Sequence, residues 1–98
     1  MKYISLNHNS APTSFKKAVI NGLAPDKGLY FPEKNVKLPL SFIESLKSLD
    51  DIEICYEVIT RYIGDEIPKN KLLEIIKNNI AFKIPLKKIE KSIYSLEL

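Results

Sequence analysis

Cysteine, histidine and arginine each occur once in these 98 residues, tryptophan is absent and glycine occurs three times. The lone Cys55 forbids an internal disulfide, and together with His8 it falls short of the three or four ligands a metal cage needs. Cys55 also falls on an apolar-periodic position, so it reads as a buried structural thiol rather than a nucleophile. No run approaches the roughly 18 apolar residues of a membrane span. The opening MKYISLNHNS lacks the apolar stretch of a secretory leader. These absences lead to the expectation of a cytoplasmic protein with no membrane partner. Walker loops, dinucleotide-binding glycine patterns, G-x-S-x-G elbows and H-E-x-x-H pairs are all missing. The length allows one small domain with a modest core, and no large enzyme pocket.

Charge is present but not concentrated. Residues 1–43 carry six lysines against two acids, residues 44–66 seven acids against two bases, and residues 67–98 seven lysines against three acids. A net charge of +3 spread this way, without an arginine stripe, describes a solvated lysine surface and not a nucleic-acid face. With 45% apolar and 28% charged residues, the composition is that of a folded globular chain.

Periodicity and punctuation outline the elements. KYIS reads as a short strand broken by NHNSAPT, after which Thr13 or Ser14 caps a helix through FKKAVIN that Gly22 ends. LYF reads as a very short strand ended by Pro32. Ser41 with Glu44 makes a capping-box pattern for SFIESLKSL, and Asp50 with Glu53 makes another for DIEICYEVITRYI. In the latter, Ile52, Cys55, Tyr56, Ile59 and Ile63 follow helical spacing, and Gly64 closes the helix. Pro68 falls near the first position of a further helix with Leu72, Ile76 and Ile80 as its buried stripe, packed antiparallel on the one before. Beyond Pro85 the period changes to two: a strand over Leu86–Ile89, a turn at Glu90-Lys91-Ser92, and a strand from Ile93 onward through Tyr94, Leu96 and Leu98. The expected fold is therefore α+β, a small single domain of three to four helices and a few short strands. The chain stops inside an apolar strand, so a truncated domain is expected.

Groups with chemistry are few. Asp50-Asp51 and Asp65-Glu66 are adjacent carboxylates at helix N-termini, where they read as macrodipole partners and not as an acid/base couple. Lys16, Lys17, Lys87 and Lys88 lie in polar surroundings, whereas a Schiff-base lysine needs desolvation. Tyr3, Tyr30, Tyr56, Tyr62 and Tyr94 are scattered over different elements, and most read as packing residues with hydroxyls at the rim; Tyr30 is the exception, two residues after Gly28 in an unusual loop. The exceptional segment is GLAPDKGLYFP, Gly22 to Pro32. It combines two of the three glycines with two of the six prolines and two adjacent aromatics. Gly28 is expected to supply a positive φ for a tight turn there.

Three stretches, SFKKAVINGLAPDKGLYFP, YIGDEIP and IYSLEL, occur in an order and spacing that resemble the N-terminal domain of threonine synthases over nearly the whole chain. The resemblance implies residues 1–82 as that domain. Residues 83–98 would be the start of a truncated catalytic domain of the tryptophan-synthase-β type (pyridoxal-phosphate fold type II), to which the C-terminal strand belongs. It implies a parent enzyme, a carbon-oxygen lyase, that converts O-phospho-L-homoserine and water to L-threonine and phosphate with pyridoxal phosphate. In the family, SLEL runs on into Phe-His-Gly-Pro-Thr and then into Ala-Phe-Lys-Asp, which bears the cofactor lysine. The 98 residues themselves are then expected to be inactive, with no catalytic, cofactor-binding or metal-binding residue, and with the catalytic domain as partner. Ser14, Gly22-Leu23-Ala24, Gly28-Leu29-Tyr30 and Pro32 match the family pattern, whereas Lys27 stands where many members have a second glycine. Ser14, Asp26, Lys27, Gly28 and Tyr30 are the candidates for a substrate entrance, the alternative being that their loop only covers the domain's own core. The other functional reading is a free-standing α+β interaction module that pairs through its C-terminal strand.

Overall fold

Short local signals set most of the elements in the computed structural model, which describes residues 1–97; Leu98, the last position of the alternating stretch, lies outside them. Strand β1 (Tyr3–Ser5) pairs antiparallel with β2 (Tyr30–Pro32), Tyr3 opposite Pro32 and Ser5 opposite Tyr30. Between them runs α1 (Phe15–Asn21). Its N-cap Ser14 accepts a hydrogen bond from Lys17 N at 3.2 Å, and Gly22 closes it at φ 70°.

Helix α2 (Leu40–Ser45) departs from expectation. It starts behind Pro39 with no side-chain cap, so Ser41 already lies inside the helix and the Ser41–Glu44 box does not form. Proline's fixed φ, here −67°, positions the first turn without a polar cap. Ser45 and Ser48 then donate back to the carbonyls of Phe42 and Ser45, both at 2.8 Å. Such local bonds compete with the helical ladder, and α2 gives way to a single 3-10 turn, Leu46–Ser48.

Helix α3 (Asp51–Ile63) has the expected reciprocal box, with Asp50 and Glu53 each accepting the other's backbone N–H at 2.8 Å. Gly64 ends it at φ 65°. Helix α4 (Lys69–Asn79) follows, with Pro68 as its N-cap, directly before the first helical position. The two helices pack on each other around Ile63, Leu72 and Ile76, against which Phe15, Ile52, Cys55, Tyr56, Ile59, Ile67 and Ile80 lie partly buried. Tyr3 joins the sheet to this core: its ring lies 5.6 Å from that of Phe15, and its hydroxyl donates to Tyr62 O at 3.2 Å. Burial pushes the Tyr3 phenol up from its ordinary pKa.

The chain ends in a hairpin of β3 (Leu86–Glu90) and β4 (Ile93–Leu96), with a bulge at Ile89. The turn is tighter than expected, because Glu90 pairs with Ile93 and only Lys91 and Ser92 bridge the strands, Ser92 at φ 66°. The strands pack chiefly on each other, and Leu86, Ile89, Ile93, Tyr94 and Leu96 are all exposed.

Candidate functional site

The segment Gly22–Pro32 is built around Asp26. Leu23 bridges Leu29, Ala24 N donates to Gly28 O at 3.0 Å, and Lys27 N donates to Ala24 O at 2.8 Å, which closes a tight loop. The left-handed residue of that loop is Lys27 (φ 66°), not Gly28. Gly28 is required for a different reason, close approach. A Cβ there would collide with Ser5 Oγ and come within 3.0 Å of Asn7 N.

Around the turn, Asp26 collects partners from the stretch after β1. Its Oδ1 accepts from Ser5 Oγ at 2.6 Å and Gly28 N at 3.0 Å, and its Oδ2 accepts from Asn9 N at 2.9 Å. Its backbone also takes part: Asp26 N donates to Ser10 Oγ at 3.1 Å, and Asp26 O accepts from Asn7 Nδ2 at 3.0 Å. The Ser5 hydroxyl above all, then the N–H groups of Gly28 and Asn9, hold this carboxyl down at a pKa of about 2. Ser5 itself is fully buried.

A second carboxylate performs a similar task elsewhere. Glu66 reaches across from the α3–α4 turn to the start of α1, where Oε1 accepts from Phe15 N at 3.0 Å and Oε2 from Lys16 N at 2.9 Å. It is a macrodipole partner, as its sequence context suggests, but of a helix some fifty residues away and not of the helix it precedes. The Lys16 N–H first, and then that of Phe15, lowers its pKa. GDEIP is thus a structural turn that staples α1 to the helical pair.

The five entrance candidates are divided by these roles. Asp26, Lys27 and Gly28 lie together at the turn, but the first and third spend their polar groups or their space internally. Ser14 caps α1 and lines a depression with Lys2, Thr13 and Lys17. Tyr30 lines a separate shallow cleft with Tyr3, Phe15 and Leu29. Sequence reasoning missed Ser5, Asn7, Asn9 and Ser10, and it named Glu66 but not the helix it serves; the one visible signal was the density of short polar residues in NHNS, which marks a loop that bonds backbone groups.

A larger concavity than these two lies elsewhere, on the helical pair. It is an open groove of about 530 Å³ whose walls include Ile54, Cys55, Val58, Ile63, Leu72, Ile75 and Ile80. Asn79 is its only polar lining residue among the described residues. No cluster of His, Cys, Asp and Glu among the described residues has the makings of a metal site, and no helix is long and apolar enough to cross a membrane.

The family model for the threonine synthase N terminus matches residues 2–80. The threonine synthase of Escherichia coli (strain K12) is 33% identical over all of this chain and 23% of its own length. That of Haemophilus influenzae is 36% identical over the same shares. Among solved structures, threonine synthase from E. coli superposes with a TM-score of 0.89 at 32% identity, covering 99% of this chain and 23% of that one. Pyridoxal-phosphate-bound threonine synthase from Brucella melitensis gives a TM-score of 0.91 at 27% identity, covering 99% and 22%. The chain spans about a quarter of the length of the curated relatives it matches.

Proposed function

This chain belongs to the threonine synthase N-terminal family, and from that premise we propose that it is the accessory N-terminal domain of a threonine synthase. The parent enzyme converts O-phospho-L-homoserine and water to L-threonine and phosphate in a pyridoxal-phosphate-dependent lyase reaction. The match of the family model to residues 2–80 carries the reading. Residues 1–82 form the accessory domain, and residues 83–98, with the outlying hairpin, lead into the catalytic body. The family match reaching residue 80 and the end of α4 at Asn79 support that boundary.

Pyridoxal phosphate would need a desolvated lysine to hold it. The lysines of this chain do not fit that task, since every one of them is exposed. The cofactor therefore belongs with the catalytic body, and the work of these residues is to position and cover. A substrate-entrance role in the loop falls to Lys27 and Tyr30, whose side chains the internal hydrogen-bond network does not use. Replacing Tyr30 by Ala in the parent enzyme raises KM for O-phospho-L-homoserine under this reading; unchanged KM and turnover would leave the loop a cover only.

The decisive experiment reads the gene past the codon for Leu98 and assays the encoded protein. The expected frame continues into Phe-His-Gly-Pro-Thr and Ala-Phe-Lys-Asp, and its product releases phosphate from O-phospho-L-homoserine one for one with threonine. A product without that activity overturns the reading. A stop codon after Leu98 favours the second reading, a free-standing module, for which the exposed edge of β4 is the supporting observation.

A further inference from the structure

We propose that the Asn21–Gly22 link at the end of α1 is a self-modification site, at which the backbone expels the Asn21 side-chain nitrogen and so unlocks the loop that follows. Water is the only co-reactant, so the inference stands apart from the assignment of the chain to a threonine synthase.

The sequence supplies the reacting pair once: of its seven asparagines, only Asn21 is followed by glycine. The Gly22 nitrogen can close a succinimide ring on Asn21 Cγ, and a residue without a Cβ does not crowd that approach. The N–Cγ bond forms, the Cγ–Nδ2 bond breaks, and the side-chain nitrogen leaves as ammonia with the proton of the Gly22 amide. Water then opens the ring. Opening at Cγ leaves aspartate, whereas opening at the backbone carbonyl leaves isoaspartate, in which the chain runs through the former side chain.

The fold restrains this reaction only weakly. Ring closure needs Asn21 out of its helical dihedrals and Gly22 N released from Ala18 O, to which it donates at 3.0 Å. Helix α1 has 7 residues, fewer than an isolated helix needs to be even marginal in water. Glu66 and Ser14 fasten its start. Towards its end, Ala18 is buried, but Val19 and Ile20 are 62% and 71% exposed. The last turn, Ala18-Val19-Ile20-Asn21, has no basic side chain to meet the negative end of the helix dipole. Just beyond, Leu23 N donates to Asn21 O at 2.8 Å across Gly22 at φ 70° and ψ −57°, a γ-turn of the rare, strained kind. Asn21 is exposed, and its side-chain amide has no hydrogen bond among the described residues, whereas those of Asn7 and Asn79 donate to backbone carbonyls. A Cβ on Gly22 would meet no described atom within 4 Å, so water reaches the link freely.

The products do not fit back. Isoaspartate lengthens the backbone between Asn21 and Gly22 by a methylene, which breaks the geometry of the γ-turn. Either product also places a carboxylate at the negative end of α1. The joint between α1 and the segment Gly22–Pro32 therefore loosens irreversibly, next to the bridge from Leu23 to Leu29.

The test incubates the full-length protein at mildly alkaline pH and separates the asparagine, aspartate and isoaspartate forms by peptide mapping. Asn35, exposed outside any helix or strand, is the internal standard. Asn21 is expected to convert at least about 10-fold faster than Asn35, whose β-branched neighbour Val36 crowds the attack. Isoaspartate should be among the products. Conversion should run about 10-fold more slowly than in urea, as befits a frayed helix end, and that slowing should match the protection of the Gly22 amide against hydrogen exchange. The amides of Leu23 and Ala24 should exchange faster as modified protein accumulates, and Asn21→Gln should keep them at their starting rates through the same incubation. Conversion no faster than at Asn35 would overturn the proposal. Aspartate without isoaspartate would overturn it as well, since it would mean direct hydrolysis of the side chain. Modified protein whose Leu23 and Ala24 amides exchange as before would overturn it by leaving the loop locked.

Discussion

Residues 1–32 and residues 50–80 are closed in opposite ways. In the first region the only fully buried side chain is Ser5, and the centre of organisation is a carboxylate with three donors on its two oxygens. In the second the centre is three aliphatic side chains, and one flank of them is open. Hydrogen bonds are directional and saturable, so the Asp26 network is complete as it stands. Apolar contact has no such limit, and a half-covered cluster gains from every further surface laid on it. The loop region is thus closed by its own hydrogen bonds, whereas the helical region keeps one apolar flank open.

The largest expected effect attacks the apolar side. Leu72 is only 2% exposed and belongs both to the core and to the groove wall. Leu72→Ala should destabilise the helical pair by about 2–3 kcal/mol, at the low end for a buried leucine because the open flank gives room to relax. Urea unfolding followed by helical circular dichroism checks this, and a loss below about 1 kcal/mol would mean that the cluster is not the core.

Next comes a blow to the polar side. Gly28→Ala forces a methyl group against buried Ser5 and the backbone of Asn7, where neither neighbour can easily move. A cost of about 1–3 kcal/mol follows from overpacking. The amide of Asn9, which donates to Asp26, should exchange faster in the same variant, because the Asp26 network must shift to admit the methyl group.

The two regions also differ in how readily they can be read from sequence. The Asp50–Glu53 box and Gly22 and Gly64 as helix stops are signals confined to a few neighbouring residues, and each forms where it is expected; the alternation after Pro85 gives two strands as expected, but with a shorter turn and a bulge at Ile89. Of the expected stripe Leu72, Ile76 and Ile80, the first two are buried because burial follows helical period, whereas Ile80, the C-cap of α4, is only partly buried. What failed depended on distance or competition. Glu66 meets α1 across 51 positions, and Ser5 meets Asp26 across 21. No local pattern announces such pairs. Ser41 looked like a cap because the box pattern was present, but Pro39 set the helix start two residues sooner. The reason for Gly28 was misread for the same cause: its constraint comes from β1, not from its own turn.

Acid should distinguish the regions without any substitution. A carboxylate whose pKa is lowered on folding stabilises the fold fully above its unfolded value and loses that contribution as the pH falls through the folded value. For Asp26 the window runs from 3.8 down to about 2, and Glu66 acts in the same direction. Stability should therefore hold from neutral pH to the upper edge of the window and then fall. Asp26→Asn should flatten part of that fall while leaving the amides of α3 and α4 unaffected near neutrality. A pH profile of the unfolding midpoint that is the same with and without Asp26 would remove the carboxylate from the centre of the loop.

The smallest effect separates the loop's own needs from those of a partner. Lys27 holds φ 66° with an exposed side chain, a conformation that costs a residue with a Cβ about 1–2 kcal/mol. Glycine removes that strain but adds flexibility to the unfolded chain, worth about 0.5–1 kcal/mol the other way. Lys27→Gly should therefore stabilise these 98 residues slightly, by about 0.5 kcal/mol. If the loop serves only its own fold, the same gain appears in the full-length enzyme and KM is untouched. If the lysine has been kept at the expense of strain because it reaches the substrate phosphate or the catalytic body, the gain disappears or KM rises there.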